Sequence, residues 1–206
     1  MKSPARTVIG IDVGGARKGF HAVALQGGKF EPFDFHGPEE ANEWILAKAP
    51  KAIAIDSPCA WAVSGGSRLA ERTLSVGGKP IQCFKTPTRT SAKGNAFYDW
   101  VFNGERLYQF LLRNYRLFDG SRARGNTVIE TYPYAVVCAL AGKVVPAKPK
   151  ATIRRAVLRA LDHDDKTLPN IDFVDAALCA ITAERFLLGR TRSFGDAEEG
   201  FIVVPN

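Results

Sequence analysis

The sequence predicts an α/β fold: a mixed sheet in which strands one to three form an antiparallel meander, strands four and five run parallel, and helices flank the sheet. Three observations predict it. Apolar runs of strand length end in acids at three places, Val8-Ile9-Gly10-Ile11-Asp12, Ala52-Ile53-Ala54-Ile55-Asp56 and Thr127-Val128-Ile129-Glu130. The first run is followed by two more strand-like runs joined through glycine turns, which is the text of antiparallel neighbours. The second is reached through a helical segment, and a crossover of that kind makes strands parallel and is right-handed.

Taken in order, the run at 8–12 is short, β-branched and buried in character. The glycine pair Gly14-Gly15 after it marks a turn where backbone comes close to something. Residues 19–25 form the second strand, and Gln26-Gly27-Gly28 is a hairpin turn. Residues 29–35 alternate aromatic and polar side chains, as an exposed strand does, and Pro32 suggests an edge. Pro38-Glu39-Glu40 opens a helix running to about Ala49, with Trp44, Ile45 and Ala47 on its apolar side, and Pro50 closes it. Residues 52–56 are the fourth strand.

Residues 57–99 change character and read as a basic insertion. Between Ser64 and Asn95 the cations are Arg68, Arg72, Lys79, Lys85, Arg89 and Lys93, against Glu71 as the only acid. Trp61, Phe84, Phe97 and Trp100 give this text enough apolar weight to pack, so an ordered lid or substrate-facing segment is expected, with a solvated loop as the alternative. A short helix is expected around 67–74 and a longer one over 101–118, with Leu107, Phe110, Leu111, Leu112 and Tyr115 as its buried stripe. Residues 127–130 are the fifth strand, 134–140 a short helix that Gly142 ends, and 143–150 a basic, proline-punctuated linker. The helix at 151–161 turns Ile153, Val157, Leu158 and Leu161 inward and Arg154, Arg155 and Arg159 outward. A last helix covers 172–188, and a terminal strand covers 201–204. There is no internal repeat, so residues 1–206 read as a single domain.

Composition is that of an ordinary globular protein, 46% hydrophobic and 24% charged. The net charge of +7 favours polyanionic partners, weakly. Cys59, Cys83, Cys138 and Cys179 are scattered without zinc-ribbon or redox spacing, and Cys138 and Cys179 lie in apolar helical text as reduced core residues. Residues 1–6 lead into a strand rather than a signal segment, and no apolar run approaches membrane-spanning length, so a cytoplasmic protein without membrane contact is expected.

Three strands that each end in an acid crowd negative charge at one edge of the sheet. Such carboxylates repel and raise one another's pKa unless a cation sits among them, and a divalent metal fills that role. Ligands of open α/β sheets bind at that edge. Asp172 and Asp175 add a second pair, three apart and therefore on one face of the last helix at its first turn. Each acid also has a local explanation. Asp172 reads as an N-cap and Asp175 as a capping-box acid, Asp12 as a turn cap before glycines, Asp56 as an Asx-turn before Pro58, and Glu130 as a helix-start acid before Pro133. Those explanations leave three strands with the same ending unaccounted for. His21 reads as a strand residue facing a neighbour and His36 and His163 as surface, so a nucleophilic triad is not supported.

The motifs Ile9-Gly-Ile-Asp12-Val-Gly-Gly, Ile55-Asp56-Ser-Pro58, Arg68-x-x-Glu71-Arg72, Glu130-Thr-Tyr-Pro133 and Asp172-Phe-Val-Asp175-Ala-Ala-x-Cys-Ala180 occur in this order. Together with a closing segment over 195–205, they resemble the DUF429 family of ribonuclease H-like proteins. The resemblance covers nearly the whole chain and implies a ribonuclease H-like fold. It further implies a hydrolase, a nuclease in which Asp12, Asp56, Asp172 and Asp175 hold two Mg2+ or Mn2+ ions. Glu130 matches a pattern of the closer family and joins the candidate catalytic acids. Arg68, Arg72 and Lys85 are the candidate phosphate-binding residues, and nucleic acid, DNA or RNA, is the implied partner. A homodimer is left open. The alternatives are a non-catalytic nucleic-acid-binding or interaction module on the same fold and, less favoured, an actin-like ATP-binding phosphotransferase, for which this chain is too short to supply the usual pair of domains.

Overall fold

In the computed structural model, which describes residues 6–15, 17–122 and 125–206, the first apolar run is β1 (Val8–Val13), buried except at Asp12. The reading made over residues 1–5 lies outside the described residues. β2 (Phe20–Gln26) returns antiparallel, and at the turn Gly14 N–H donates to the Gly19 carbonyl at 2.9 Å while Gly19 takes a φ of +66°. β3 (Lys29–Phe35) follows as an edge strand. α1 (Pro38–Lys48) crosses to β4 (Ala52–Asp56). Next come α2 (Leu69–Thr73), the short pair β5 (Ser75–Val76) and β6 (Lys79–Pro80), α3 (Arg89–Ala92) and α4 (Asp99–Leu111). β7 (Arg116–Leu117) and β8 (Thr127–Glu130) lead to α5 (Pro133–Leu140), α6 (Lys150–Ala160) and α7 (Ile171–Leu187). β9 (Thr191–Asp196) and β10 (Gly200–Pro205) close the chain.

The main sheet has the order β3-β2-β1-β4-β8-β10-β9, with β7 beside the first half of β8. β1, β4, β8 and β10 are parallel neighbours, and β7 also runs parallel to β8; β1 with β2, β2 with β3 and β9 with β10 pair antiparallel. This is the expected mixed sheet, meander first and parallel strands after.

Alternation along the strands sorts the core into two faces. Val8, Ala52, Ala54 and Ile129 meet α5, α6 and α7 on one side. Ile9, Ile11, Ile53, Ile55 and Val128 meet α1 and α4 on the other. α7 lies closest of all: a Cβ built on Gly10 of β1 would overlap the Ala176 carbonyl and the Ala180 backbone nitrogen. Glycine on the strand and alanines on the helix are therefore what allow this contact, and the contact decides where the acids of α7 come to rest.

Several element readings need correction. The helix expected over 101–118 stops at Leu111, because the chain beyond it joins the sheet: Arg116 N–H donates to the Asn126 carbonyl and Phe118 N–H to the Val128 carbonyl, each at 2.9 Å. Leu112, expected in the buried stripe, is exposed. Ala41 rather than Ala47 is buried on α1. β9 was not anticipated, since its polar text carries no alternation, as an edge strand permits. The stretch after β4 is packed rather than a solvated loop: Ala70, Leu74, Val76 and Ile81 form a third cluster with Ala135 and Cys138 of α5 and Ile202 and Val204 of β10. Cys138 and Cys179 are buried and reduced, as expected.

Candidate metal centre

Asp12 and Asp56 are direct register partners on the parallel strands β1 and β4. Their side chains therefore leave the sheet on the same face, the face that α7 covers. Asn170 caps α7, its Oδ1 accepting the N–H groups of Asp172 at 2.9 Å and Phe173 at 3.2 Å. With the helix start set by that cap and its path set by Gly10, Asp175 is buried above the strand ends. Carboxylate oxygens of Asp12, Asp56 and Asp175 all lie within 4.8 Å of one another. Burial, and then the neighbouring Asp172 charge, raises the Asp12 pKa. Asp56 is pushed well above the usual carboxylate range by its burial and then by the neighbouring Asp12 charge.

The cluster lies in the wall of a cleft of about 550 Å³. Lys150 and Arg154, one turn apart on α6, line the same cleft. Lys150 Nζ is 2.7 Å from Asp175 Oδ2, and Arg154 Nη1 donates to Asp175 Oδ1. Arg154 therefore faces in, not out as its position in the sequence led us to expect. It lies one turn before the fully buried Leu158, and that spacing was the signal available in the sequence. Tyr132 and Tyr134 complete the wall, and burial together with the Asp56 carboxyl pushes the Tyr132 hydroxyl up to about 12. His21, cross-strand from Asp12, has its Nδ1 4.0 Å from Asp12 Oδ2 and its ring edge-on to Phe173. The neighbour that this strand residue faces is Asp12.

Asp172 stands apart from the three clustered carboxylates, at the rim, where its Oδ2 is 2.7 Å from Lys18 Nζ. Nor is it the N-cap, since Asn170 holds that position.

Glu130 does not join the cluster. Its register partner on β4 is Ile55, one residue short of Asp56, so the pleat turns it to the opposite face. There Arg68 grips it with both terminal nitrogens, at 2.8 and 2.5 Å, and Cys59 N–H donates to it at 2.8 Å. Arg68 is 1% exposed and also donates from Nε to Glu71 at 2.9 Å. It holds the chain together and cannot reach a phosphate, which corrects its expected role. Arg72 and Lys85 are exposed and line a second cavity of about 370 Å³, whose wall shares Gln82 and Cys83 with the cleft.

The family model described as "Protein of unknown function (DUF429)" matches residues 10–200. The chain belongs to the DUF429 family. This match runs from Gly10 inside β1 to the start of β10, and so takes in every acid of the cluster in this DUF429 protein. A comparison with curated proteins finds no match. Among solved structures, the DUF429 chain is similar to a RuvC structure from Thermus thermophilus, with 18% identity over 89% of this chain and 96% of that one, and a TM-score of 0.40. Among the described residues of the DUF429 chain, no helix is long and apolar enough to cross a membrane.

Proposed function

We propose that this protein is a divalent-metal-dependent hydrolase, a nuclease that cleaves phosphodiester bonds of DNA or RNA. The observation that carries the reading is the convergence of Asp12, Asp56 and Asp175 at the carboxyl edge of the sheet, inside a cleft that Lys150 and Arg154 also line.

The donor set fits a hard cation. All three groups are carboxylates, and Asp12 and Asp56 resist ionising together because they are buried side by side, the conflict that a bound cation relieves. Asp12, Asp56 and Asp175 would hold Mg2+ or Mn2+, with Asp172 as the fourth acid at the rim. When bound, the metal supplies an activated water and charge stabilisation for the leaving oxygen. The chain's own residues do the rest. Lys150 and Arg154 pair with Asp175, and both present donors to a phosphate oxygen. Arg72 and Lys85, beyond the shared wall, would hold flanking phosphates.

One observation favours a second reading. Each oxygen of Asp175 already has a cation of α6 against it, which suits a non-catalytic nucleic-acid-binding module with no need of metal. Calorimetry with Mn2+ separates the two, since a module of that kind binds none at millimolar metal. The direct test is cleavage of labelled DNA and RNA in the presence of Mg2+ or Mn2+. The parent cleaves, and Asp12→Asn falls to background while keeping its fold; equal cleavage by the two proteins overturns the proposal.

A further inference from the structure

We propose that the aromatic cluster built by residues 84–100 is a stacking platform for an unpaired base, which makes single-stranded or locally unpaired nucleic acid the substrate class of the cleft. The inference rests on the reading of this chain as one that acts on nucleic acid, and deepens it.

Phe97 is 63% exposed, unusual for a ring held so firmly. Asn95 Oδ1 accepts the Phe97 N–H at 3.0 Å, and Asn95 N–H in turn donates to the Ala92 carbonyl at 3.1 Å, so the backbone beneath the ring is fixed. Phe84 lies against the ring with centroids 5.0 Å apart, and Tyr98 meets it edge-on at 5.3 Å. Phe84 is itself braced edge-on by Trp100 at 4.9 Å. A rigid aromatic surface open to water gives up little conformational freedom when a flat ring covers it.

The surroundings select the ligand. Lys85 and Lys93 are exposed and make no ion pair among the described residues, and Asp99 is the only acid between residues 79 and 100. A flat apolar face among free cations suits a chain of anionic linkages carrying flat rings. A double helix keeps its base faces stacked on one another and offers none to Phe97. The platform is also continuous with the acids. Cys83, the residue before Phe84, is in the wall of the carboxylate cleft, and Phe84 shares a smaller cavity with Asp56. A strand stacked on Phe97 would therefore run past Phe84 toward Asp56.

The test is binding of short fluorescent oligonucleotides, single-stranded and duplex, in a chelator so that nothing is cleaved. Tighter binding of the single strand by the parent is expected. Phe97→Ala should weaken that binding by about 10- to 100-fold, Phe97→Trp should restore it, and duplex binding should not change. The emission of Trp61 and Trp100 should change as the single strand binds, and should change less in Phe97→Ala. Equal parental affinity for duplex and single strand overturns the proposal, as does no binding or an unaltered affinity in Phe97→Ala. The chelator separates this result from the fate of the nuclease reading. Phe97-dependent binding without cleavage in Mn2+ leaves the platform standing and removes the nuclease. Cleavage that ignores Phe97 does the reverse.

Discussion

Asp56 and Glu130 end adjacent parallel strands with nearly the same text, yet one enters the acid cluster and the other a buried clasp. One step of register separates them. The consequence for stability can be signed. Asp56 keeps its proton well above the ordinary 3.8, so above that value the unfolded chain has released a proton that the native chain still holds, and stability falls as pH rises toward the native pKa. Urea denaturation in chelator should show this decline in the parent and a flatter profile in Asp56→Asn. Asp165 acts the other way. Hydrogen bonds from Arg159 and Arg155 lower it to about 2, so its contribution is present above 3.8 and is lost as pH falls to about 2. Arg68 makes the other residue-scale prediction. A lysine cannot reproduce its fork onto Glu130 together with the Nε bond to Glu71, and leaving those acids under-paired costs about 3–5 kcal/mol. Arg68→Lys should lower the unfolding free energy measured by urea titration by that much; unchanged stability with weakened oligonucleotide binding would return Arg68 to the phosphate-binding set.

At the scale of elements, the cluster exists because α7 lies directly on β1. Gly10 is the point of contact, and any side chain there must push the helix off the strand. Gly10→Ala should cost about 3 kcal/mol or more and weaken Mn2+ binding in whatever fraction still folds, since Asp175 rides on α7 while Asp12 and Asp56 stay with the sheet. Calorimetry beside a urea titration checks both. A Gly10→Ala protein as stable as the parent would mean that α7 and β1 are not in this contact. The segment between β4 and α4 works as an element too. Glu199, at the turn before β10, accepts the N–H groups of Val63 at 2.9 Å and Leu69 at 2.7 Å, while Glu71 accepts that of Thr86 at 2.8 Å. Carboxylates on backbone thus hold the basic stretch beside the cleft.

For the whole molecule, a net charge of +7 around an acidic cleft separates two kinds of binding. Oligonucleotide affinity should fall steeply with salt, because displaced counterions drive it, whereas Mn2+ affinity at the buried carboxylates should change far less. Mn2+ at 100 times its Kd should stabilise the parent by about 2.7 kcal/mol, read as a rise in Tm, and leave Asp12→Asn unmoved. An equal rise in both proteins would place the metal elsewhere.

Most of the sheet and its acidic edge are legible in the chain's own text. Alternation and length mark the strands, the glycine turns mark the meander, and the crossover before β4 brings Asp12 and Asp56 to one end. Those are local signals or follow from chain handedness. Packing between distant elements fixes which acids meet, turns Arg68 in and sets Lys150 and Arg154 over Asp175. Each of these depends on the register or facing of elements far apart in the chain, where a shift of one residue on a strand, or a few tens of degrees around a helix, sends a side chain to the other side of the sheet.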